Sequence, residues 1–492
     1  MSRKEDEVAA RIIAWFDSRL GLSHSMLRPV PEYAINPFYW LGALTVVAFV
    51  IQAVTGMVMM LYYVPSPIEA FPSTQYIFEQ VYYGRFLESV HLYTAYAMIM
   101  LAFMHMMRDY FVSVYKKPRE MMWIVGMVMG FVTLGFGFTG YLLPWTVVSK
   151  SATDVGIGMI DALPAQISSF LSFLVVGAGG DATELLRFYD LHVIVLPAVL
   201  LVLLTIKMYM LESHGIAEPV TGVVGKEKKR TLPIFPDVSL YLLELAAVFG
   251  SAMLLISVIF PLSLPPQYSP QLAAQFTPQP DWYFLWIYQI VKISIFEGPG
   301  LPVAMSLVTL LFIVLFLLPF IDRNEKRRLI DRPVFVTIGM IFVAELITLA
   351  YWGSVTPGQI IPVEQAALVL GGTALIIALV SFGAYRILFS RIKPKLSVGP
   401  KPGQIPAKFT TLFSFGALAT GGAFAIGNTL NTTVNIIVQG LDNWKVLQLT
   451  SSVFLFAAVI VGTIILIYRI ELPNGSITKR IRRLEKTTHE TQ

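Results

Sequence analysis

The sequence predicts an all-α integral membrane protein of about ten transmembrane helices, a four-helix bundle followed by further C-terminal helices. Three observations carry that expectation. Of 492 residues, 55% are hydrophobic and only 14% charged, and the mean hydropathy is +0.68, which excludes a soluble enzyme with a large core. Ten apolar runs are long enough to cross a bilayer. Lys and Arg gather in every second loop, the pattern that sets orientation in a membrane. The chain has no Cys, so disulfides, thiolate catalysis, thiolate metal sites and thioether attachment are excluded.

Residues 1–37 read as a polar, charged arm. It lacks the apolar core and cleavage site of a signal peptide, so the first membrane helix is expected to serve as its own signal. The runs follow at roughly 38–63, 89–115, 121–143, 189–211, 239–262, 303–321, 333–352, 364–389, 410–432 and 449–469. The ninth, rich in Gly, Thr and Asn, is the weakest. Basic clusters occupy the arm (Arg3, Lys4, Arg11, Arg19, Arg28) and the loops around Lys116, Lys228, Arg327 and Lys395, as well as the tail from Lys479. The intervening loops are nearly bare of positive charge. A multi-pass protein of the plasma membrane with both termini cytoplasmic is expected. The pI near 9.1 therefore reflects membrane orientation, and a nucleic-acid partner is not expected.

The second run carries His91 and His105, 14 residues apart. That is close to four whole turns, so both imidazoles share one helix face about 21 Å apart along the axis. The fourth run carries His192 and, 15 residues on, Lys207. Both runs enter from the outside, so depth pairs His91 with His192 and His105 with Lys207. Ionisable groups this deep in a membrane are costly and default to function. The arrangement suits two stacked haems, b-type or modified, each taking one axial ligand from each helix. At the inner level a neutral amine from Lys207 is one ligand candidate. His214, seven residues further on, is another, and a missing inner haem is the third possibility. Gly42 and Gly56 on the first run, and Gly126 and Gly140 on the third, repeat the 14-residue interval. A missing side chain makes room for a flat porphyrin pressed between helices.

Several longer motifs resemble cytochrome b, the quinol-oxidising core of cytochrome bc complexes, over about residues 30–355. They are SVH with His105 and Arg108 following, KKPRE at 116–120, GYLLPW at 140–145, RFYDLHVIVLP at 187–197, GIAEP at 215–219, TPQPDWYFL at 277–285 and PFIDRNEKRR at 319–328. The resemblance is to the chloroplast-like form, here unsplit and extended at its C-terminus. It implies a di-haem bundle over 38–215, quinol-site helices over 216–390 and, beyond the family core, a basic linker with two helices and a charged tail over 391–492.

The resemblance also implies a quinol pocket at the outer face built on Pro280, Asp281, Trp282 and Tyr283. Asp281 and Tyr283 are the catalytic candidates there. The family usually has Glu where this chain has Asp281; either carboxylate can accept a quinol proton. The inner-haem ligand on the fourth helix is normally His and here is Lys207. Glu88 stands where an Arg is usual, leaving Arg85, Arg108 and Arg187 as candidate partners of haem propionates. An inner quinone pocket is marked only by location, at His214, Asp237 and Glu244. The implied partners are quinol and quinone, membrane lipid, a Rieske iron–sulfur protein that this Cys-free chain cannot replace, a second copy in a homodimer, and terminal oxidase subunits if the assembly is a quinol oxidase. The competing expectation is a di-haem anchor of a dehydrogenase that exchanges electrons with the quinone pool.

Overall fold

In the computed structural model, residues 29–390 are described, apart from 32–33, 178, 218–230, 235–237 and 328. The arm up to residue 28 and the two C-terminal spans expected beyond 391 lie outside the described residues. Within them, eight helices are long and apolar enough to cross a membrane, one for each of the first eight runs.

The chain enters through a short strand β1, Pro29–Pro31, and reaches α1, Leu41–Met60. A short helix α2, Ala70–Glu79, leads into α3, Gly84–Phe111, and α4, Glu120–Leu142. Two helices follow outside the spans. They are α5, Val147–Asp161, and α6, Ala165–Val175. The N-terminus of α5 is closed by a capping box in which Thr146 and Ser149 satisfy each other's backbone N–H groups. Next comes α7, Asp181–His214. After it, β2, Thr231–Pro233, returns to pair antiparallel with β1, a pairing no alternation in the sequence announced. The rest is α8, Ser239–Ile259, the short α9, Leu285–Val291, α10, Leu301–Phe316, α11, Pro333–Val355, and α12, Val363–Ser390.

Helix α3 packs along α1 and against α4, and α4 packs along α7, closing a four-helix bundle. Its centre is a dry cluster of Ala48, Met98, Val132 and Leu200, one residue from each helix. Each lies about halfway between the two predicted ligand or glycine positions of its own helix. The cluster thus lies between the two levels. Helix α8 leans on α3 and α1, while α9, α11 and α12 pack in series. Outward-facing Leu201, Val202, Leu255, Val258 and Leu368 are exposed, as expected where lipid replaces water.

Helix α7 is not uniform. Its Leu191–Val195 segment is a π-turn, followed at once by Pro197. Proline lacks the N–H that an α-helix would bond back four residues, and a single wide turn absorbs the loss. His192 lies in that turn, so the same proline that disturbs the helix sets the aim of the imidazole.

Two polar clasps tie the layers together. At the Lys- and Arg-rich end, the buried Asp322 carboxylate accepts from Lys116 Nζ at 3.1 Å, from Tyr115 Oη at 2.6 Å and from Arg332 Nε at 3.0 Å. Burial pushes this carboxyl up, but Tyr115, Lys116 and Arg332 outweigh it and hold it below the usual range. This clasp joins the KKPRE and PFIDRNEKRR motifs, and so the bundle to the helices after α9. At the other end, buried Lys150 of α5 binds Asp181 at 3.3 Å and Glu184 at 3.4 Å, both on the first turn of α7. Nearby, Tyr268 N–H donates to Trp145 O at 3.1 Å and Val147 N–H to Pro266 O at 2.9 Å. The GYLLPW segment is thereby pinned to the stretch that leads into PDWY.

Candidate functional site

At one end of the bundle the structure brings His91 and His192 together. The His91 and His192 rings face each other across the bundle, centroids 6.4 Å apart and planes at 61°. A metal–imidazole bond is about 2 Å and the ring centroid lies about 1 Å behind the nitrogen, so two axial imidazoles stand about 6 Å apart. The rings therefore fit one metal between them. A threonine hydroxyl stands behind each ring. Thr55 Oγ1 lies 2.7 Å from Ile51 O and 2.8 Å from His91 Nδ1, so when it donates to its own helix carbonyl it accepts from the ring nitrogen. Thr139 repeats the device, donating to Gly135 O at 2.8 Å and standing 3.2 Å from His192 Nδ1. In that arrangement Nδ1 carries the proton in both rings, and Nε2 keeps its lone pair for a metal.

The glycines explain how the helices reach these residues. A Cβ on Gly56 would lie 3.4 Å from His91 Cε1, one on Gly140 2.5 Å from His192 Cε1, and one on Gly42 3.2 Å from His105 Nε2. A Cβ on Gly126 would lie 2.8 Å from Lys207 Nζ. Each glycine thus backs one of the four predicted ligands, and Lys207 occupies at its level the place an imidazole takes at the other three. His214 does not compete by position. It sits exposed on the last turn of α7, its Nδ1 turned to Met210 O at 2.9 Å. Together the glycine cradles and the paired rings of His91 and His192 fit a flat iron-bearing macrocycle at that level, between α3 and α7.

The second level differs from the first. His105 Nδ1 is buried without a hydrogen-bond partner, and no threonine precedes Gly42 or Gly126. Asp109, one turn after His105, brings its Oδ2 to 3.8 Å from His105 Nε2. It pairs with Arg108 at 2.8 Å. Sequence reasoning missed Asp109, although its i, i+4 spacing from His105 was a usable signal. Arg108 also stacks over Tyr39 at 4.5 Å. Arg187 lies over Phe173 at 5.6 Å and bonds to the Phe173 carbonyl, and Arg85 donates to Leu262 O at 2.8 Å. Of the inner-pocket candidates, Glu244 is exposed on α8 and Asp237 lies outside the described residues.

The PDWY segment forms a carboxylate pocket beside the His91 end. Oδ1 of Asp281 accepts the Trp282 N–H at 2.8 Å, while Oδ2 is buried without a partner. Tyr283 donates to Gly137 O at 3.1 Å, its ring filling the space where a Cβ on Gly137 would come within 2.9 Å. Burial pushes the Asp281 carboxyl up to about 6, held back by Tyr96 and by the Trp282 N–H. Tyr141 is a third tyrosine that interacts electrostatically with this carboxylate. Tyr141 directly follows Gly140, which backs His192, and Tyr96 lies little more than one turn from His91. The pocket and the upper imidazole pair therefore share one depth. Neither Tyr96 nor Tyr141 was singled out from the sequence, because a tyrosine on an apolar helix face gives no periodic signal of its own.

Comparison with known proteins places this site in context. Residues 96–270 match the family described as cytochrome b (N-terminal)/b6/petB, and residues 274–371 match cytochrome b (C-terminal)/b6/petD. The cytochrome b subunit of a cytochrome bc complex from Chlorobaculum thiosulfatiphilum is 33% identical over 361 residues, covering 71% of this chain and 81% of the relative. Cytochrome b6 of Acaryochloris marina is 37% identical over 43% of this chain and 99% of its own length. A solved structure titled hyperthermophilic respiratory Complex III superposes with a TM-score of 0.62 at 27% identity, covering 76% of this chain and 98% of that one. The chain joins in one polypeptide what the b6 relatives match only over its N-terminal part, and it belongs to the cytochrome b family of bc-type complexes.

Proposed function

We propose that this chain is the quinol-oxidising, electron-carrying subunit of a respiratory bc-type complex. The carrying observation is the buried, unpartnered Oδ2 of Asp281 at the depth of the His91–His192 pair. A buried acceptor atom without a partner, beside a redox level, is what a quinol hydroxyl requires of its acceptor. Asp281 Oδ2 takes the first quinol proton, and Oδ1 stays fixed by the Trp282 N–H. Tyr283, locked on Gly137 O, holds the wall of the pocket, and Pro280 and Trp282 shape its turn.

His91 with His192, and His105 with Lys207, would hold two haems, which when bound would supply one-electron transfer between the two levels. Thr55 and Thr139 keep the first pair in the metal-binding tautomer. Lys207 must bind as a neutral amine, and Gly126 gives it the room to do so. One electron of each quinol goes to a Rieske iron–sulfur partner, whose cluster ligands a Cys-free chain does not provide. The loop charges put the Asp281 pocket on the outer side of the plasma membrane, where its protons are released, and both termini in the cytoplasm. A homodimer and, in an oxidase assembly, terminal oxidase subunits complete the expected partners.

The test is quinol-dependent reduction of the complex carrying Asp281→Asn beside the wild type. Asparagine keeps the shape and the Trp282 contact but takes no proton. A rate lower by about 10²–10⁴-fold with both haems retained supports the proposal. An unchanged rate removes Asp281 from the reaction.

A further inference from the structure

Asp281 has a short side chain, and its own backbone neighbour holds one of its two oxygens at 2.8 Å. The other oxygen is buried and has no close partner. Three tyrosines interact electrostatically with this carboxylate, Tyr96 from α3, Tyr141 from α4 and Tyr283 from its own segment. They are not equivalent. Tyr283 spends its proton on Gly137 O at 3.1 Å. Tyr141 faces the carboxylate as a charge neighbour without a hydrogen bond to it. Tyr96 is the one of the three whose hydroxyl acts on the carboxylate as a donor. Its ring is held on two sides, 6.2 Å from Trp282 at 79° and 6.5 Å from Tyr283 at 60°. The hydroxyl is therefore delivered to Asp281 by packing, from a helix that also carries His91.

We propose that Tyr96 is the positioning residue of the proton-accepting carboxylate: its hydroxyl steadies ionised Asp281 and aims Oδ2 at the incoming quinol. This rests on the quinol reading given above. A phenolic donor favours the charged form of a buried carboxylate over the neutral one. It also restrains the side chain about the one torsion that the Trp282 N–H leaves soft. When Oδ2 takes the quinol proton, the carboxylate charge vanishes and the Tyr96 contact weakens. The proton then moves on to water on the quinol side, while Tyr96 itself neither gains nor loses one.

The experiment uses the purified complex with its partners and compares wild type, Tyr96→Phe, Asp281→Asn and the double variant. The readout is quinol oxidation as kcat/KM against pH. Phenylalanine keeps the ring contacts with Trp282 and Tyr283 and removes only the donor. Without that donor the carboxylate needs a higher pH to ionise, so the acid limb of Tyr96→Phe should move up by about one pH unit, with about tenfold loss on the acid side and near-normal rates above it. The Tyr96→Phe effect should vanish in the Asp281→Asn background. An acid limb that does not move, or a loss equal at every pH, overturns the role of Tyr96. If Asp281→Asn itself costs nothing, the quinol reading fails first, which separates the two claims. Should Tyr96→Phe assemble poorly, Asp281→Glu is the second arm. One more methylene carries the carboxyl past the Tyr96 hydroxyl, so its acid limb should also rise, and an unmoved limb there counts against the proposal.

Discussion

The four ligand residues and their four glycines make predictions one atom at a time. A methyl group on Gly140 would press on His192 at 2.5 Å, whereas one on Gly42 would meet His105 at 3.2 Å. Gly140→Ala should therefore abolish the haem at the His91 level, with Gly42→Ala leaving a weakened but present haem at the His105 level, both read as difference spectra of purified protein. The reason is mechanical: His192 is gripped by Thr139 and by the π-turn, and cannot retreat. Asp281 makes a prediction in pH. Its carboxyl, pushed up to about 6 by burial, must be ionised to accept a proton. Quinol oxidation should then hold above that value and fall about tenfold per pH unit below it, as measured by stopped-flow reduction across the pH range. At this scale the sequence was legible wherever spacing encodes geometry, as in His91 with His105 or Gly126 with Gly140. It was silent on Tyr96, Tyr141 and Asp109. Their roles arise from neighbours far along the chain, and only the packed bundle brings those neighbours near.

At the scale of elements, the clasp around Asp322 holds the four-helix bundle to the helices that follow. Removing one partner from a buried ion pair leaves the other charge stranded, at a cost of about 3–5 kcal/mol. Asp322→Ala should lower the thermal midpoint of the detergent-solubilised protein by several degrees while leaving the His91-level spectrum intact. The sign with pH follows from the lowered carboxyl. The stabilisation is complete above the unfolded-state value near 4 and is lost as pH falls through the lower folded one. The spans themselves were readable to within a few residues, because twenty apolar residues in a row leave few alternatives. The β1–β2 pairing and the π-turn before Leu196 were not. The first depends on contacts about 200 residues apart, and the second on how one proline is absorbed inside a helix.

At the scale of the whole molecule, orientation is the largest claim that rests on charge alone. The absence of cysteine makes it easy to check. Glu69→Cys, between α1 and α3, should react with an impermeant thiol reagent added to right-side-out vesicles, and Glu325→Cys, between α10 and α11, should react only after lysis. The reverse pattern would invert the proposed proton release. The molecule as a whole joins two stacked levels, an apolar floor between them and a carboxylate pocket beside one of them. The level built on His105 and Lys207 is where this chain departs furthest from the pattern its motifs suggest. The most direct measurement is therefore haem stoichiometry with low-temperature electron paramagnetic resonance of the purified wild type beside Lys207→Ala. Two low-spin haems per chain in the wild type are expected, with the substitution losing or turning high-spin only the one at the His105 level. A single haem in the wild type, or two unchanged haems in Lys207→Ala, would contradict the ligand pairing on which the account rests.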